Sequence, residues 1–444
     1  MDLNEKKPRQ NAAALLPILV FLVLYLGMGL VFEYGLGVEM AFYNIPIVVV
    51  FMVALLVACL QNRALKLDSK LAVMAQGVGD KNIMTMLLIF LVAGVFVGVT
   101  GRSSAEAVAY FLLSVTPAWA SVAVLFVAAC FVSIAMGTSV GTITLITPIA
   151  AAVSHVSGFS LALCVGSVIG GAMFGDNLSF ISDTTIAATR TQGCKMNEKF
   201  KANCFLAIPA ALITFAIYIF GDFSVPESTS DLPSNPWLVL PYLAVIVLAI
   251  SGVNVTVTLV SGIILSFIIA LFLGFDLFEL LGFMGSGIEG MGNLIIITLM
   301  AAGMLGLIKA AGGIDALIHF LSGNIRGGRA AQGVISVLVG IVNLCTANNT
   351  VAILTVGSIS KDIADKFGIS GRRSASLLDT SSCIVQCLIP YGAQTLLATS
   401  LAGISPTAPW PYLFYPWILA GIVCLSILFK QTVKAPLKKM SQTV

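Results

Sequence analysis

The sequence predicts an all-α, polytopic membrane protein that consists of two inverted repeats. Three observations lead to this prediction: the composition, the placement of charge and an internal repeat. Of the 444 residues, 58% are hydrophobic and 10% are charged, and the mean hydropathy is +1.03. Soluble domains carry about 25% charged residues. The chain therefore belongs in a bilayer, which a helix crosses with about 20 apolar residues.

Apolar runs of suitable length for membrane-spanning helices recur along the whole chain. They cover 12–32, 44–60, 83–100, 200–220, 237–254, 255–275, 292–311 and 412–430. The first run follows Lys6, Lys7 and Arg9, as the apolar part of a secretory signal peptide would. It is long for such a peptide and no small-residue cleavage site follows, so we interpret it as the first span.

Lysine and arginine are concentrated in alternate connections between the spans. Because cytoplasmic loops are enriched in these residues, we assign the basic segments to the cytoplasmic side. They are the N-terminus, 61–82, 190–201, 309–330, 361–375 and 430–444. The opposite loops, near 33–43, 101–118, 221–236 and 276–291, hold several acids and Arg102 as their one basic residue. This pattern predicts a multi-pass protein of the cell (inner) membrane with both termini in the cytoplasm.

A shift of about 210 residues places the second half of the sequence on the first. The aligned pairs are 138–143 with 348–353, the span 200–220 with 412–430, and the first two spans with 237–254 and 255–275. The basic loop 61–82 then meets the acidic loop 276–291, so the halves have opposite orientations. We predict an N-terminal repeat, 1–225, and an inverted C-terminal repeat, 226–444, each with about five membrane-crossing helices.

Each repeat is predicted to contain a re-entrant helical hairpin and a broken helix. The charge pattern requires 119–150 and 331–360 to begin and end on the same side, so each must turn back within the membrane. The broken helices are expected at 160–189 and 376–400, after amphipathic connectors at 101–118 and 312–330. Irregular backbone at membrane depth must be buried in protein or line a cavity, so the polar hairpin tips should meet near the centre. Secondary transporters commonly have this architecture.

Three aspartates, Asp176, Asp183 and Asp379, lie inside apolar stretches. An ionisable group at the bilayer centre costs roughly 2.5–3.5 kcal/mol and usually marks an ion or proton pathway. The first two aspartates belong to the polar segment 175–185, whose side chains can bond to their own backbone and interrupt the helix. We expect such a break to leave carbonyl oxygens free as ligands for a hard cation such as Na+.

A carboxyl group removed from water favours its neutral form, so Asp176 and Asp183 could hold a proton and release it when a cation arrives. The alternative is that both aspartates cap helix breaks structurally. For Asp379, which lies close to Arg373, an ion-binding role and a structural ion pair both remain open. The corresponding segment 386–395 has no acid, so we expect it to supply shape and neutral donors.

The candidate ion- or substrate-binding residues combine these aspartates with the polar residues of the hairpin tips and breaks. They are Asp176, Asp183, Asn177, Ser179, Ser182, Thr184, Thr138, Ser139, Asn348, Asn349, Thr350, Asp379 and Gln394, with Na+ placed at Asp176 and Asp183.

Several function classes are not supported by the sequence. It contains no phosphate-binding GxxxxGK[ST] motif of an ATP-driven pump and no basic domain for a nucleic acid. We expect no enzymatic activity and no cofactor, only Na+ and H+ as transported or coupling ions, with membrane lipids around the chain. Glycine pairs such as Gly94 and Gly98 indicate close helix packing. Such packing is compatible with a homodimer.

The segment 175–185, together with 137–139, 347–350 and 389–392, resembles the NhaC family of sodium/proton antiporters over nearly the whole chain. The resemblance implies two hairpins and two broken helices whose tips form the sodium and substrate sites. That family usually has a histidine after the first aspartate and a proline after the first serine, where this chain has Asn177 and Phe180. The family also resembles carriers of amino acids and small carboxylates.

Two transport hypotheses follow, with a third from another class. The first is exchange of Na+ for H+ at Asp176 and Asp183. The second is Na+- or H+-coupled transport of an amino acid or small carboxylate, with the substrate carboxylate at helix N-termini. The third is a channel or a membrane scaffold, because polar membrane cores are not confined to carriers.

Overall fold

The computed structural model describes residues 11–38, 45–61, 65–221, 223, 236–322 and 325–429. This part of the chain is helical, which confirms the predicted all-α class. Nine helices within these ranges are long and apolar enough to cross a membrane. The terminal residues 1–10 and 430–444, on which the prediction of cytoplasmic ends depends, lie outside the described ranges.

The helices of the first half follow one another with short connections. They are α1 (Ala12–Leu30), α2 (Ile47–Gln61), α3 (Leu67–Val78), α4 (Lys81–Val115), α5 (Ser121–Met136), α6 (Ser139–Ser157), α7 (Leu161–Leu178), α8 (Asp183–Gln192) and α9 (Met196–Phe220). Helix α4 bends at Gly101, whose φ of 64° lies in the left-handed region. The bend separates the apolar first part of α4 from the predicted connector.

The second half contains a corresponding series. These helices are α10 (Leu240–Ile250), α11 (Val255–Phe272), α12 (Leu277–Gly290), α13 (Gly292–Ala310), α14 (Gly313–Ser322), α15 (Gly327–Thr346), α16 (Asn349–Lys366), α17 (Gly371–Leu388), α18 (Ala393–Ala402) and α19 (Phe414–Phe429). The bounds of α7 and α8 recur about 210 residues later in α17 and α18. This correspondence supports the two-repeat interpretation, whereas the opposite orientation of the repeats stays a prediction. The proposed boundary at 225/226 lies outside the described residues.

The segments 61–82 and 276–291, expected to be loops, are largely helical, as α3 and α12 show. Both helices are too short for the length criterion of a span, which explains why hydropathy did not identify them. Glycines bring them close to their neighbours: a Cβ on Gly77 of α3 would lie 2.5 Å from the Ala302 carbonyl oxygen. A Cβ on Gly287 of α12 would lie 2.0 Å from the Gly94 carbonyl oxygen.

The two halves exchange contacts in a reciprocal way. Helix α8 packs against α16 and α17 of the second half, and α18 packs against α6 and α7 of the first. The second part of each broken helix therefore contacts the second arm of the other half's hairpin. This arrangement brings both hairpin tips and both breaks to one place.

The glycine pairs that left a homodimer open face other helices of the same chain. Gly94 and Gly98 lie against the backbone of α12, and Gly166 lies against Tyr412. Close packing of small residues is their usual role in membrane helices. These glycine contacts lie within one chain.

Candidate functional site

The hairpin tips are formed by short breaks with capped helix N-termini. Helix α5 ends at Gly137, whose φ is 69°, and the Thr138 side chain then caps α6 by accepting a hydrogen bond from the Gly141 amide. Helix α15 ends at Ala347, which adopts a φ of 50° without being a glycine. Asn348 caps α16 by accepting from the Val351 amide at 3.0 Å. Each chain reversal therefore places polar side chains at a helix start.

A cavity of about 60 Å³ lies where the hairpin tips, the two breaks and α4 meet. Its lining contains nine of the predicted site residues: Asp176, Asp183, Thr184, Thr138, Ser139, Asn348, Asn349, Thr350 and Gln394. Since one water occupies roughly 30 Å³ of liquid volume, this space is about the size of two waters. The structure thus brings together residues that are widely separated in the sequence.

The two cavity aspartates differ in their surroundings. Asp176 is 4% exposed, and its Oδ1 accepts a hydrogen bond from the Ser139 amide at 3.1 Å. Asp183, the first residue of α8, is exposed and lines the same cavity. A carboxylate at a helix N-terminus is also stabilised by the helix dipole. Asp176 therefore forms the buried end of the cavity and Asp183 its open end.

The second half contributes a chain of amide side chains. Gln386 donates to the Gln394 Oε1 atom at 2.7 Å and to the Ala347 carbonyl at 3.0 Å. Gln394 in turn donates to the Ser139 Oγ atom at 3.1 Å. Because the Ser139 amide binds Asp176, this chain connects the second break to the buried carboxylate of the first. The expected neutral donors are present on this side.

Four predicted site residues do not line the cavity: Asn177, Ser179, Ser182 and Asp379. Three of them organise the first break. Ser182 donates to the Asp176 carbonyl at 3.1 Å, and the Thr185 hydroxyl donates to the Ser179 carbonyl at 2.8 Å. The expectation that the break leaves its carbonyls free as cation ligands is wrong for these oxygens, because hydroxyl groups six residues further along the chain occupy them.

The Asn177 carbonyl is occupied too, by Lys199 and Asn203 of α9. The Lys199 ammonium donates to it at 2.9 Å, and the Asn203 amide donates at 2.8 Å. The same ammonium lies 2.7 Å from the Asp379 Oδ2 atom, and both side chains of this ion pair are 0% exposed. Asp379 thus forms an ion pair with Lys199 and not with the nearby Arg373, which donates to Gln332 and Ser426 instead.

Sequence reasoning missed several residues of this region. Asn82, Thr85 and Met86 of α4 line the small cavity but lie at the end of an apolar run, where they look like ordinary boundary residues. Lys199 was assigned to a basic cytoplasmic segment, whereas it is buried beneath the break. One sequence signal could have identified Lys199. It lies inside the helix that begins at Met196, four residues before Asn203 and therefore on the same helix face.

A larger cavity of about 1240 Å³ adjoins the small one. It extends between α3, α4 and α13, from Leu65 and Lys309 to the tip of the second hairpin. The two cavities share the lining residues Met86, Ala347, Asn348 and Ala393. The large cavity is therefore a vestibule that ends at the candidate site.

Comparison with known proteins places this chain among ion-coupled transporters. It is 27% identical to the Na(+)/H(+) antiporter NhaC of Bacillus subtilis over 379 residues, which is 77% of this chain and 83% of that protein. It is 21% identical to the malate-2H(+)/Na(+)-lactate antiporter of the same organism, over 92% of this chain and 94% of that protein. The structure of the Alcanivorax borkumensis YdaH transporter matches with a TM-score of 0.43 and 13% identity, over 79% of this chain and 90% of that one.

A family model described as the Na+/H+ antiporter family matches residues 2–222 and 228–431. This match covers nearly the whole chain and bears out the NhaC-like resemblance of segment 175–185. The protein is accordingly a membrane-embedded secondary transporter and not an enzyme. The chain belongs to the Na+/H+ antiporter family.

Proposed function

We propose that this protein exchanges Na+ for H+ across the cell (inner) membrane, with both termini in the cytoplasm. The observation that carries the proposal is that Asp176 and Asp183 line one small cavity with the hydroxyl and amide groups of both hairpin tips. Oxygen ligands of this kind suit a hard cation. Na+ and H+ are the cargo of this site, and membrane lipids surround the apolar helices.

Competition for the two carboxylates accounts for coupling. Na+ binds when Asp176 and Asp183 are deprotonated, and protonation of either carboxylate removes a charge that the cation needs. Exchange results if the site faces one side of the membrane at a time, as inverted repeats allow. The vestibule gives the site a path toward 65–80 and 309–310, the side that the charge pattern assigns to the cytoplasm.

Proteoliposomes with an internal pH-sensitive dye test this proposal. We expect external Na+, added at zero membrane potential, to raise the internal pH through proton exit in the wild-type protein. Asp183→Asn and Asp176→Asn should each lower the rate by about tenfold or more, because each removes a carboxylate charge that the cation needs, and even groups that only orient metal ligands change affinity about 10–100-fold.

Asp362→Asn is the matched control, since Asp362 is an exposed carboxylate on α16, away from both cavities. This variant should exchange like the wild type. Full exchange by Asp183→Asn and Asp176→Asn would contradict the proposed site. Absence of any sodium-dependent pH change in folded wild-type protein would contradict antiport itself.

The size of the vestibule favours a second candidate function, coupled transport of a small organic solute. A volume of about 1240 Å³ exceeds what ions need and falls near the range of organic ligand sites, roughly 300–1,000 Å³. One relative carries malate and lactate by its name. Saturable, sodium-driven uptake of one labelled carboxylate or amino acid, abolished by Asp183→Asn, would support this function over simple exchange.

A further inference from the structure

Lys199 is a fully buried cation whose hydrogen-bonding capacity is completely used. Its ammonium lies 2.7 Å from the Asp379 Oδ2 atom, 2.9 Å from the Asn177 carbonyl oxygen and 2.6 Å from the Thr185 hydroxyl. An ammonium group has three donors, and these three partners engage all of them. Lys199 is therefore held in one position by its partners, unlike a lysine on the surface.

The three partners of Lys199 belong to three different elements. Asn177 is in the last turn of α7, before the break, whereas Thr185 is in the first turn of α8, after it. Asp379 lies in α17 of the second half. One ammonium therefore joins both sides of the first break to the other half of the protein.

The neighbours of these partners in the sequence are the cavity residues. Asn177 follows Asp176 directly, and Thr185 lies two residues after Asp183. The distance between the two cavity carboxylates is set by the path of the chain from α7 to α8. Because Lys199 binds the backbone of α7 and a side chain of α8, it constrains this distance.

Asp379 is a different kind of acid from the cavity pair. Its Oδ2 atom accepts hydrogen bonds from both Lys199 and Asn203, the latter at 2.7 Å. Its charge is thus balanced inside the protein by the Lys199 ammonium. Removing one partner of such a pair is costly, while replacing both partners together is tolerated far better. Replacing Lys199 and Asp379 together therefore tests the positioning role at a smaller cost to folding than replacing either one alone.

The second break has no corresponding cation. The positions about 210 residues after Lys199 and Asn203 are Pro409 and Leu413. There the Thr395 hydroxyl donates to the Cys387 carbonyl at 3.3 Å, in the place where Lys199 binds the Asn177 carbonyl. A neutral hydroxyl is therefore enough to stabilise the second break, which indicates that Lys199 has a further role in the first break.

We propose that Lys199 is a positioning residue for the cation site, which fixes the spacing of Asp176 and Asp183 by binding Asn177, Thr185 and Asp379 at once. This inference rests on the proposed function, because it takes those aspartates as the cation ligands. Groups that orient metal ligands typically change affinity by about 10–100-fold when they are mutated.

The test is the sodium dependence of thermal unfolding in detergent, with choline chloride used to keep the ionic strength constant. A ligand that binds only the folded state raises the unfolding temperature, so the sodium concentration at half-maximal stabilisation reports affinity without any need for transport. The variant is Lys199→Gln combined with Asp379→Asn, which removes the buried charges together. We expect the half-maximal concentration to rise by about tenfold or more.

Thr185→Val provides a second variant that keeps the ion pair and removes the α8 hydroxyl that Lys199 binds, together with the hydrogen bonds of that hydroxyl to Ser182 and to the Ser179 carbonyl. It should raise the half-maximal sodium concentration by a smaller factor, about threefold, because the Lys199 bonds to Asn177 and Asp379 remain. If either folded variant retains the wild-type sodium dependence, the positioning role is overturned. This variant decides the question if the double variant does not fold.

Arg373→Gln is the matched control. Arg373 is another buried cation of this region, but it donates to Gln332 and Ser426, which are remote from the cavity. We expect it to lower the unfolding temperature without changing the half-maximal sodium concentration. A change in sodium dependence equal to that of the Lys199 variants would show a general effect of lost charge and overturn the inference.

Two further outcomes separate this inference from the proposed function. Sodium stabilisation that persists in Asp176→Asn and Asp183→Asn would overturn the proposed cation site and the positioning role together. Sodium stabilisation lost in those variants, but unchanged in the Lys199 and Thr185 variants, would overturn the positioning role alone.

Discussion

The two broken helices of this transporter have the same geometry and opposite chemistry. Helices α7 and α8 end and begin at positions that recur about 210 residues later in α17 and α18. In the first break the cavity is lined by Asp176 and Asp183, and in the second by Gln386 and Ala393. The two breaks therefore share a backbone plan, while the carboxylates that line the cavity come from the first break alone.

This difference fits the proposed cation site. Four carboxylates around about 60 Å³ would repel one another strongly in a medium of low dielectric constant. In the second break the Gln386 amide and the Ala393 methyl group stand at these positions without charge, and Gln386 connects to the carboxylate of the first break through Gln394 and Ser139. The asymmetry is thus part of the site.

The largest effect is expected from moving the buried carboxylate to the other repeat. Asp176→Gln combined with Gln386→Asp keeps the number of charges but should leave exchange at about a hundredth of the wild-type rate or less, because a buried charged group left without a hydrogen-bond donor is strongly disfavoured. The new carboxylate would face the Ala347 carbonyl and the Gln394 Oε1 atom, which Gln386 now satisfies as a donor. Proteoliposome exchange measures the outcome, and recovery to the wild-type rate would show that the two breaks are equivalent.

An intermediate effect is expected from Gln394→Ala, which interrupts the connection between the breaks. Loss of its hydrogen bond to Ser139 should weaken sodium binding by about tenfold or less, since one hydrogen bond contributes about 0.5–1.5 kcal/mol. Sodium-dependent thermal unfolding gives the affinity. Gln332→Ala, at a buried glutamine that binds Arg373 instead, is the control, and an equal effect there would remove the special role of Gln394.

A smaller difference is expected between the two threonines that stabilise the breaks. Thr185 accepts from the Lys199 ammonium at 2.6 Å, whereas Thr395 makes a neutral contact with the Cys387 carbonyl. Hydrogen bonds to charged groups contribute about 1.5–3 kcal/mol and neutral ones about 1 kcal/mol. Thr185→Val should therefore lower the free energy of unfolding more than Thr395→Val, as measured by denaturant titration in detergent. The reverse order would contradict the described charge asymmetry.

The smallest effect is expected at Phe180, one of the two departures from the family pattern. Its ring stacks on Phe200 with centroids 4.3 Å apart and does not line either cavity. Phe180→Ala should reduce the free energy of unfolding by about 1 kcal/mol, as for an aromatic pair, and leave sodium-driven exchange unchanged. Loss of exchange in folded protein would show that this departure alters function.

Local sequence signals predicted the spans, the polar hairpin tips and the interrupted helices, because each depends on a short run of apolar or small polar residues. Helices α3 and α12 escaped prediction for a physical reason. They are shorter than a span, and their glycines, Gly77 and Gly287, serve as contact surfaces although they read as loop residues.

The candidate site was predicted as a set of residues but not as a set of bonds. The Ser182 hydroxyl was predicted to bind the ion or substrate, yet it binds a carbonyl oxygen six residues earlier, as does the Thr185 hydroxyl. Lys199 was assigned to a cytoplasmic segment because the positions of basic residues in the sequence do not distinguish a buried lysine near a span end from an exposed one. Its pairing with Asp379, 0% exposed on both sides, depends on tertiary packing that no local pattern contains.

The most direct test of the central claim is equilibrium binding of radioactive Na+ to the purified protein. We expect the wild type to bind Na+ more weakly as the pH falls, because protons compete for the same carboxylates, and Asp176→Asn to show no saturable binding. Gln386→Asn, the smaller amide at the corresponding position of the second break, should retain saturable binding. Binding by Asp176→Asn with wild-type affinity would contradict the conclusion that the first break alone carries the charge of the site.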